Sequence, residues 1–147
     1  LCMIQRIQSI FLLIAAASFG GLFMLPLAVS DKPTAQSLAD KVYDVTDHIA
    51  LLILALAGAI LALVAIFLFK NRPLQLKLGY VVISMAILLP LAAFLLFTNQ
   101  APMMDSAVHV EDQAGVFLPG GAILFTALAN YFIRKDDKLV KSMDRLR

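Results

Sequence analysis

The 147-residue chain contains no tryptophan, a single cysteine and long stretches without charge. Because Cys2 is alone, no disulfide bond can form within the chain. No Asp, Glu, Lys or Arg occurs in four stretches, Ile7–Ser30, His48–Phe69, Leu78–Met104 and Gln113–Ile133. Charged side chains inside a bilayer are costly and usually functional, so their absence argues against a proton-coupled carrier, a voltage sensor or a proton channel.

Apolar residues make up 61% of the chain, and the mean hydropathy is +0.89. Each charge-free stretch can cross a hydrocarbon core of about 30 Å, which takes about 20 apolar residues. We expect an all-α membrane protein with a single integral membrane domain over residues 1–147. The predicted transmembrane helices cover about 7–29, 48–69, 78–98 and 115–133, followed by a basic tail at 134–147. The short Lys70–Lys77 connection makes the second and third helices antiparallel neighbours, so an antiparallel bundle is predicted.

The charges between the stretches alternate in sign. Ten of the twelve basic residues fall on one side, where the net charge is +7, and the opposite side has a net charge of −5. The positive-inside rule then places both termini in the cytoplasm. The first stretch exceeds the 7–15 residues of a signal-peptide core, so we expect a retained anchor.

The negatively charged side holds carboxylates and imidazoles that could bind a divalent cation. These candidates are Asp40, Asp44, Asp47, His48, His109, Glu111 and Asp112. Leu38, Val42 and Val45 are spaced as in a short amphipathic helix, which would place the first four candidates on roughly one face. Since no EF-hand or zinc motif occurs, a solvated acidic surface is expected, with a cation site or haem between His48 and His109 as alternatives.

Small residues recur four positions apart, a spacing that lets helices approach closely. The pairs are Ala16 and Gly20, Ala17 and Gly21, Ala55 and Ala59, and Gly58 and Ala62. Packing within the bundle is the default interpretation, and a docking face for another membrane protein is the alternative. In-span hydroxyl and amide groups, such as Ser18, Thr126 and Asn130, are expected to form hydrogen bonds within or between helices.

The C-terminal tail is basic and keeps a helical period through Leu139, Met143 and Leu146. Its cations are Arg134, Lys135, Lys138, Lys141, Arg145 and Arg147. We expect an extension of the last helix that contacts anionic lipid or a partner protein. Asp136, Asp137 and Asp144 interrupt the basic run without interleaved aromatics, which argues against nucleic-acid binding.

Three segments resemble a known family. They are Met3–Ser9 at the start, Phe67–Gln75 in the predicted cytoplasmic turn, and Ile133–Arg147, which reads IRKDDKLVKSMDRLR. Together they resemble a domain-of-unknown-function family of small four-pass inner-membrane proteins from Gram-negative bacteria. The resemblance implies four helices in the inner membrane and no established activity, and it transfers no functional residues.

No nucleophile stands beside a base in the predicted spans, so we expect a non-catalytic protein without a cofactor. Charge-free helices with small-residue faces favour an accessory subunit or assembly factor of a larger inner-membrane complex. Its partners would be membrane lipids and other membrane subunits. The alternative is a small binding or transport protein for a lipid or lipophilic ligand, because an apolar ligand needs no charged anchor.

Overall fold

The computed structural model describes residues 2–32, 40–100 and 109–145, and these ranges are mostly helical. The helices are α1 Cys2–Gly21, α2 Ile49–Phe67, α3 Arg72–Gln100 and α4 Leu118–Asp144. Within the described chain, three helical segments are long and apolar enough to cross a membrane: Ile49–Phe67, Arg72–Asn99 and Ala114–Asp144. The prediction of a mostly helical protein with membrane-spanning helices is confirmed at this level.

The first helix ends earlier than the predicted span. α1 stops at Gly21, whereas the sequence placed the end of the span near residue 29. The backbone then turns, and the amides of Met24 and Leu25 both donate to the carbonyl of Gly21. Pro26 follows, and a proline ring clashes with the carbonyl four residues earlier in a regular helix. The apolar residues after Gly21 therefore lead into a strand.

The two longer connections meet in a three-stranded antiparallel sheet that was not predicted. The central strand is β1 Ala28–Ser30, and it pairs with β2 Val42–Tyr43 and β3 Val110–Asp112. Ala28 faces Tyr43 on one side and Asp112 on the other. The predicted amphipathic helix is wrong in its described part, because Val42 lies in β2 and Val45 in a turn. Leu38, the first residue of that pattern, lies outside the described residues.

Each helix packs against the next in chain order, and α4 also packs against α1. One end of this arrangement carries the sheet, and we call it the sheet end. The other carries the tight α2–α3 connection at residues 68–71, and we call it the turn end. At the turn end Leu12, Ala65 and Ala129 form one buried cluster, with Leu78 packed on it.

Two glycines permit close approaches that fix this arrangement. Gly58 of α2 lies under Phe19 of α1, and a Cβ atom on residue 58 would overlap the phenyl ring. Gly115, in a short 3₁₀ turn at Ala114–Phe117, donates its amide to the carbonyl of Pro26 over 3.1 Å. A Cβ on residue 115 would overlap that carbonyl. The start of α4 is thus held against the segment that follows α1.

Candidate functional site

A cavity of about 400 Å³ opens at the sheet end, and we call it the sheet-end cleft. It lies between α3, the sheet and the start of α4, and its wall is mainly apolar. The lining residues are Leu27, Ala28, Tyr43, Pro90, Ala93, Phe94, Phe97, Val110, Asp112, Val116 and Pro119. Small-molecule sites measure about 300–1,000 Å³ and are mostly apolar with a few polar groups. The cleft therefore has the size and chemistry of a site for a lipophilic molecule.

The α3 wall of the cleft follows from helical spacing. Pro90, Ala93, Phe94 and Phe97 recur at intervals of three and four residues, so they share one face. The helix continues through Pro90 without interruption from Arg72 to Gln100. The residues on this face had been assigned only to a membrane span, because nothing in their spacing distinguishes a cavity wall from a lipid-facing surface.

Tyr43 is the main polar anchor inside the cleft. Its side chain is buried, and its hydroxyl donates to the carbonyl of Ala93 over 3.0 Å. Its ring lies 5.6 Å from the ring of Phe97, centroid to centroid. Burial, with a smaller contribution from the Asp47 carboxylate, raises the pKa of Tyr43 to about 12. The phenol therefore stays protonated and holds β2 against α3.

The seven candidate metal ligands do not form a common site. Residues 40–48 form β2 and turns, so the predicted helical face does not exist. Within the described residues, no group of three or more His, Cys, Asp or Glu side chains could hold a metal ion. Asp112 lines the cleft, Glu111 and His109 are exposed on β3 or just before it, and His48 contacts the ring of Tyr43 edge-on.

The carboxylates of the β2–α2 connection bind backbone amides instead. The amide of Val42 donates to Asp40, that of Thr46 to Asp44, and that of Asp44 to Asp47. Partial burial raises the pKa of Asp47, and the neighbouring carboxylates of Asp44 and Asp40 raise it further. The amide of Asp44 and the imidazole of His48 act in the opposite direction. These residues shape a turn.

Most of the small-residue positions are used inside the molecule. Ala16, Ala55, Gly58 and Ala62 are buried between helices, and Ala59 is half-buried. Gly21 lies against the side chain of Leu118. Ala17 and Gly20 differ, since both are exposed and a Cβ atom at residue 20 would meet nothing within 4 Å. Packing within the molecule thus accounts for six of the eight small-residue positions, and Ala17 and Gly20 are the exceptions.

The turn end contains buried polar groups. The hydrogen bond expected of Asn130 is not formed with any described residue, and the burial of Gln8, Gln75 and Asp136 was not expected. Gln8, Gln75, Asn130 and Asp136 are each at most 4% exposed. Arg72 Nη2 lies 2.8 Å from Asp136 Oδ2, and Gln75 Nε2 donates to the carbonyl of Ala65 over 2.9 Å. Among the described residues, the amide of Asn130 and one oxygen of Asp136 have no protein partner. Buried polar atoms of this kind usually bind ordered water.

Helical spacing could have revealed part of this cluster. Thr126, Ala129, Ile133 and Asp136 recur at intervals of three and four, and all are fully buried. Continuing the buried stripe past Ile133 leads directly to Asp136. By its sequence neighbours alone Asp136 belongs to the basic tail, because it lies among cations.

The basic tail is helical as expected, since α4 extends to Asp144. Lys135, Lys138, Lys141 and Arg145 are exposed, and Arg147 lies outside the described residues. Lys141 pairs with Asp137 over 2.6 Å, and the guanidinium of Arg134 lies 5.3 Å from the centre of the Tyr80 ring. An open cavity of about 440 Å³, lined partly by Lys70, Arg72 and Asp137, lies beside this segment.

Comparison with known families gives one result. The model of a family described as a domain of unknown function, DUF4293, matches residues 4–146. No curated protein and no solved structure matches the chain. The match covers nearly the whole chain and confirms the resemblance to a family without an assigned function.

Proposed function

Because the chain belongs to the DUF4293 family, whose description assigns no activity, we propose a function from the geometry: a non-catalytic membrane protein that binds a lipophilic molecule in the sheet-end cleft. The observation that carries this proposal is the cleft itself, about 400 Å³ in volume and walled mainly by apolar side chains. Protein interiors are normally close-packed, with few voids larger than a water molecule. A cavity of this size at one end of the packed helices can hold a small molecule.

The proposed setting is the inner membrane of a Gram-negative bacterium, with four spans and both termini in the cytoplasm. The distribution of basic residues supports this orientation. The apolar part of α1, Arg6–Gly21, is shorter than the three other apolar helices, and its crossing of the bilayer is part of this proposal. In this orientation the sheet end and its cleft face the outer leaflet, and the turn end faces the cytoplasm.

The orientation is tested by labelling single cysteines in intact and permeabilised cells. A Cys2→Ser background removes the only native thiol. In that background, Lys32→Cys reports on the sheet end and Ser142→Cys on the tail, and both positions are exposed. A membrane-impermeant maleimide should label Lys32→Cys in intact cells with a permeable outer membrane, and Ser142→Cys only after the inner membrane is opened. The reverse pattern would contradict the proposed topology.

Lipid binding is tested by native mass spectrometry of the full chain released from native membranes. Val116 is exposed and lines the cleft, so Val116→Trp should fill the cleft from its mouth without disturbing the core. Phe117→Trp is the matched control, because Phe117 is exposed next to it and does not line the cleft. We expect a bound lipophile at a fixed stoichiometry that Val116→Trp removes and Phe117→Trp retains. Equal retention by both variants would refute the proposal.

A second candidate function is an accessory subunit of a larger membrane complex. The exposed Ala17 and Gly20 favour it, because open space beside small residues lets a helix of another protein approach closely. Replacing Gly20 with Leu should release a partner that co-purifies in mild detergent, and Leu13→Ala, an exposed change on the same helix, should not. A protein that is monodisperse and alone in extracts of native membranes would exclude this function.

A further inference from the structure

We infer that the sheet-end cleft selects amphiphiles whose headgroup donates hydrogen bonds, an amine or a hydroxyl, and discriminates against anionic headgroups. The inference rests on the proposed lipophile binding and adds the chemical class of the ligand. It follows from which polar atoms surround the cleft, and from which of them are already bonded.

The charged group that lines the cleft is a carboxylate. Among the described lining residues, Asp112 is the only one with an acidic or basic side chain. Glu111 is exposed beside it in β3. A carboxylate accepts hydrogen bonds and donates none, so it favours an amine or a hydroxyl and repels a sulfonate or phosphate.

The sheet end as a whole is also negatively charged. Its described carboxylates are Asp31, Asp40, Asp44, Asp47, Glu111 and Asp112, and its described cations are Lys32 and Lys41. The segments 33–39 and 101–108 of the sequence add Asp105 and no Lys or Arg. An anionic headgroup at the mouth of the cleft would therefore lack a cationic partner among the lining residues and would face a negative surface.

The start of α4 could in principle bind an anion, because the first amides of a helix are usually free. Here the amides next to the cleft are occupied. The amide of Gly115 donates to Pro26, that of Val116 to Gln113, and that of Leu118 to Gly115. Pro119, which lines the cleft, has no amide hydrogen. The two lining residues at this helix start, Val116 and Pro119, therefore offer no free amide to a phosphate or carboxylate.

The remaining polar side chain among the described lining residues is that of Tyr43. Its proton is used in the bond to the carbonyl of Ala93, so toward a ligand the phenol oxygen can only accept. Both polar side chains that line the cleft, Tyr43 and Asp112, thus act as acceptors. A headgroup that supplies donors is complementary to them, and a headgroup that supplies only acceptors is not.

The absence of native tryptophan allows a direct test. Phe94 lines the cleft and is exposed, so Phe94→Trp places a single fluorophore there with little change in shape. Phe117→Trp provides the reference for general partitioning into the micelle. The probes are an alkylamine, an alkanol and an alkyl sulfonate with the same brominated chain, added to the full-length protein in an uncharged detergent. Bromine quenches tryptophan fluorescence on contact.

The amine should reach half-maximal quenching of Phe94→Trp at a concentration up to about fivefold lower than the sulfonate. This ratio corresponds to the free energy of an exposed ion pair. The alkanol should fall between the two. Adding Asp112→Asn should bring the amine close to the alkanol, whereas Glu111→Gln should have a smaller effect. Salt at about 1 M should reduce the preference.

The outcomes separate the two proposals. If no probe quenches Phe94→Trp beyond Phe117→Trp, the cleft does not bind lipophiles and the proposed function fails. If all probes quench Phe94→Trp specifically and equally, or if the sulfonate is preferred, the cleft binds lipophiles and the inference about the headgroup is overturned. A preference for the amine that persists unchanged in Asp112→Asn would also overturn the inference.

Discussion

Arg72 at the start of α3 and Asp136 in the last third of α4 form an ion pair, with 2.8 Å between Nη2 and Oδ2. The Asp136 side chain is 1% exposed and that of Arg72 18%. A second guanidinium nitrogen, Nη1, reaches the backbone carbonyl of Asp136. The pair joins α3 to α4 at the turn end, and its two residues are 64 positions apart in sequence.

Removing one partner of this pair should be costly. Arg72→Met leaves a buried carboxylate without its cation, and we expect the free energy of unfolding to fall by about 3 kcal/mol. The double variant Arg72→Met with Asp136→Leu should regain most of the loss, because no uncompensated charge remains. Unfolding in mixed micelles with increasing denaturing detergent measures both.

The exposed pair of Lys141 and Asp137 is the control for this experiment. Lys141→Met should lower stability by less than about 1 kcal/mol, since solvent screens the pair. Equal losses for Arg72→Met and Lys141→Met would mean that the buried location of Asp136 is unimportant.

Two glycines should respond in opposite directions to the same substitution. A Cβ atom at Gly79 would overlap the side-chain amide of Asn130, so Gly79→Ala should lower the free energy of unfolding by about 1–3 kcal/mol. Gly20→Ala meets open space and should raise it by up to about 1 kcal/mol through helix propensity. Both are measured by thermal unfolding. Adding Asn130→Ala to Gly79→Ala should relieve the overlap, and a failure to do so would contradict the contact.

The Tyr43 hydroxyl should contribute a measurable part of the stability of the sheet end. Tyr43→Phe removes the bond to Ala93 and keeps the ring against Phe97, so we expect a loss of about 1 kcal/mol. Tyr131→Phe, at an exposed position of α4, should change stability little. Hydrogen exchange of the β1 and β2 amides should accelerate in Tyr43→Phe, and unchanged exchange there would argue against Tyr43 as the anchor of β2.

Asp47 gives a prediction with a defined dependence on pH. Its pKa is raised in the folded protein above the unfolded value of 3.8, chiefly by partial burial. The folded state therefore holds this proton more tightly, and its contribution to stability falls as pH rises from 3.8 through the raised pKa. Asp47→Asn keeps an acceptor for the amide of Asp44 and removes the charge.

This variant should be more stable than the native protein at neutral pH, and the difference should shrink as pH falls toward 3.8. Thermal unfolding between pH 3.5 and about 7 measures the effect. A stability difference that does not vary with pH would contradict the raised pKa. Glu111→Gln, at an exposed position of β3, serves as the charge control.

The helices could be predicted from the sequence, and the sheet could not. The charge-free stretches locate α2, α3 and α4, because the bilayer rule acts on composition over about 20 residues. The strands have only two or three residues each, and they form because two connections meet at one end of the packed helices. Pairing of this kind depends on contacts such as Ala28 with Asp112, which lie 84 positions apart.

The candidate sites, like the fold, could be predicted from the sequence only in part. Ala55, Gly58 and Ala62 are buried, and their spacing alone indicates that they share one face of α2. The cleft was not predictable, because whether Phe94 lines a cavity or faces lipid depends on the position of the sheet. Asp136 was grouped with the basic tail, and its burial was not predictable because its partner, Arg72, comes from a different part of the chain.

The small sheet also determines which wall of the cleft can move. β1 follows α1, β2 precedes α2, and β3 leads into α4. Hydrogen bonds between the strands therefore hold the ends of these three helices together. Tyr43 connects the sheet to α3 by one hydrogen bond and one ring contact, and apolar side chains of both also belong to one core cluster. We expect this hydrogen bond to limit how far α3 can separate from the sheet, and so to limit how bulky a guest the cleft can accept from the side.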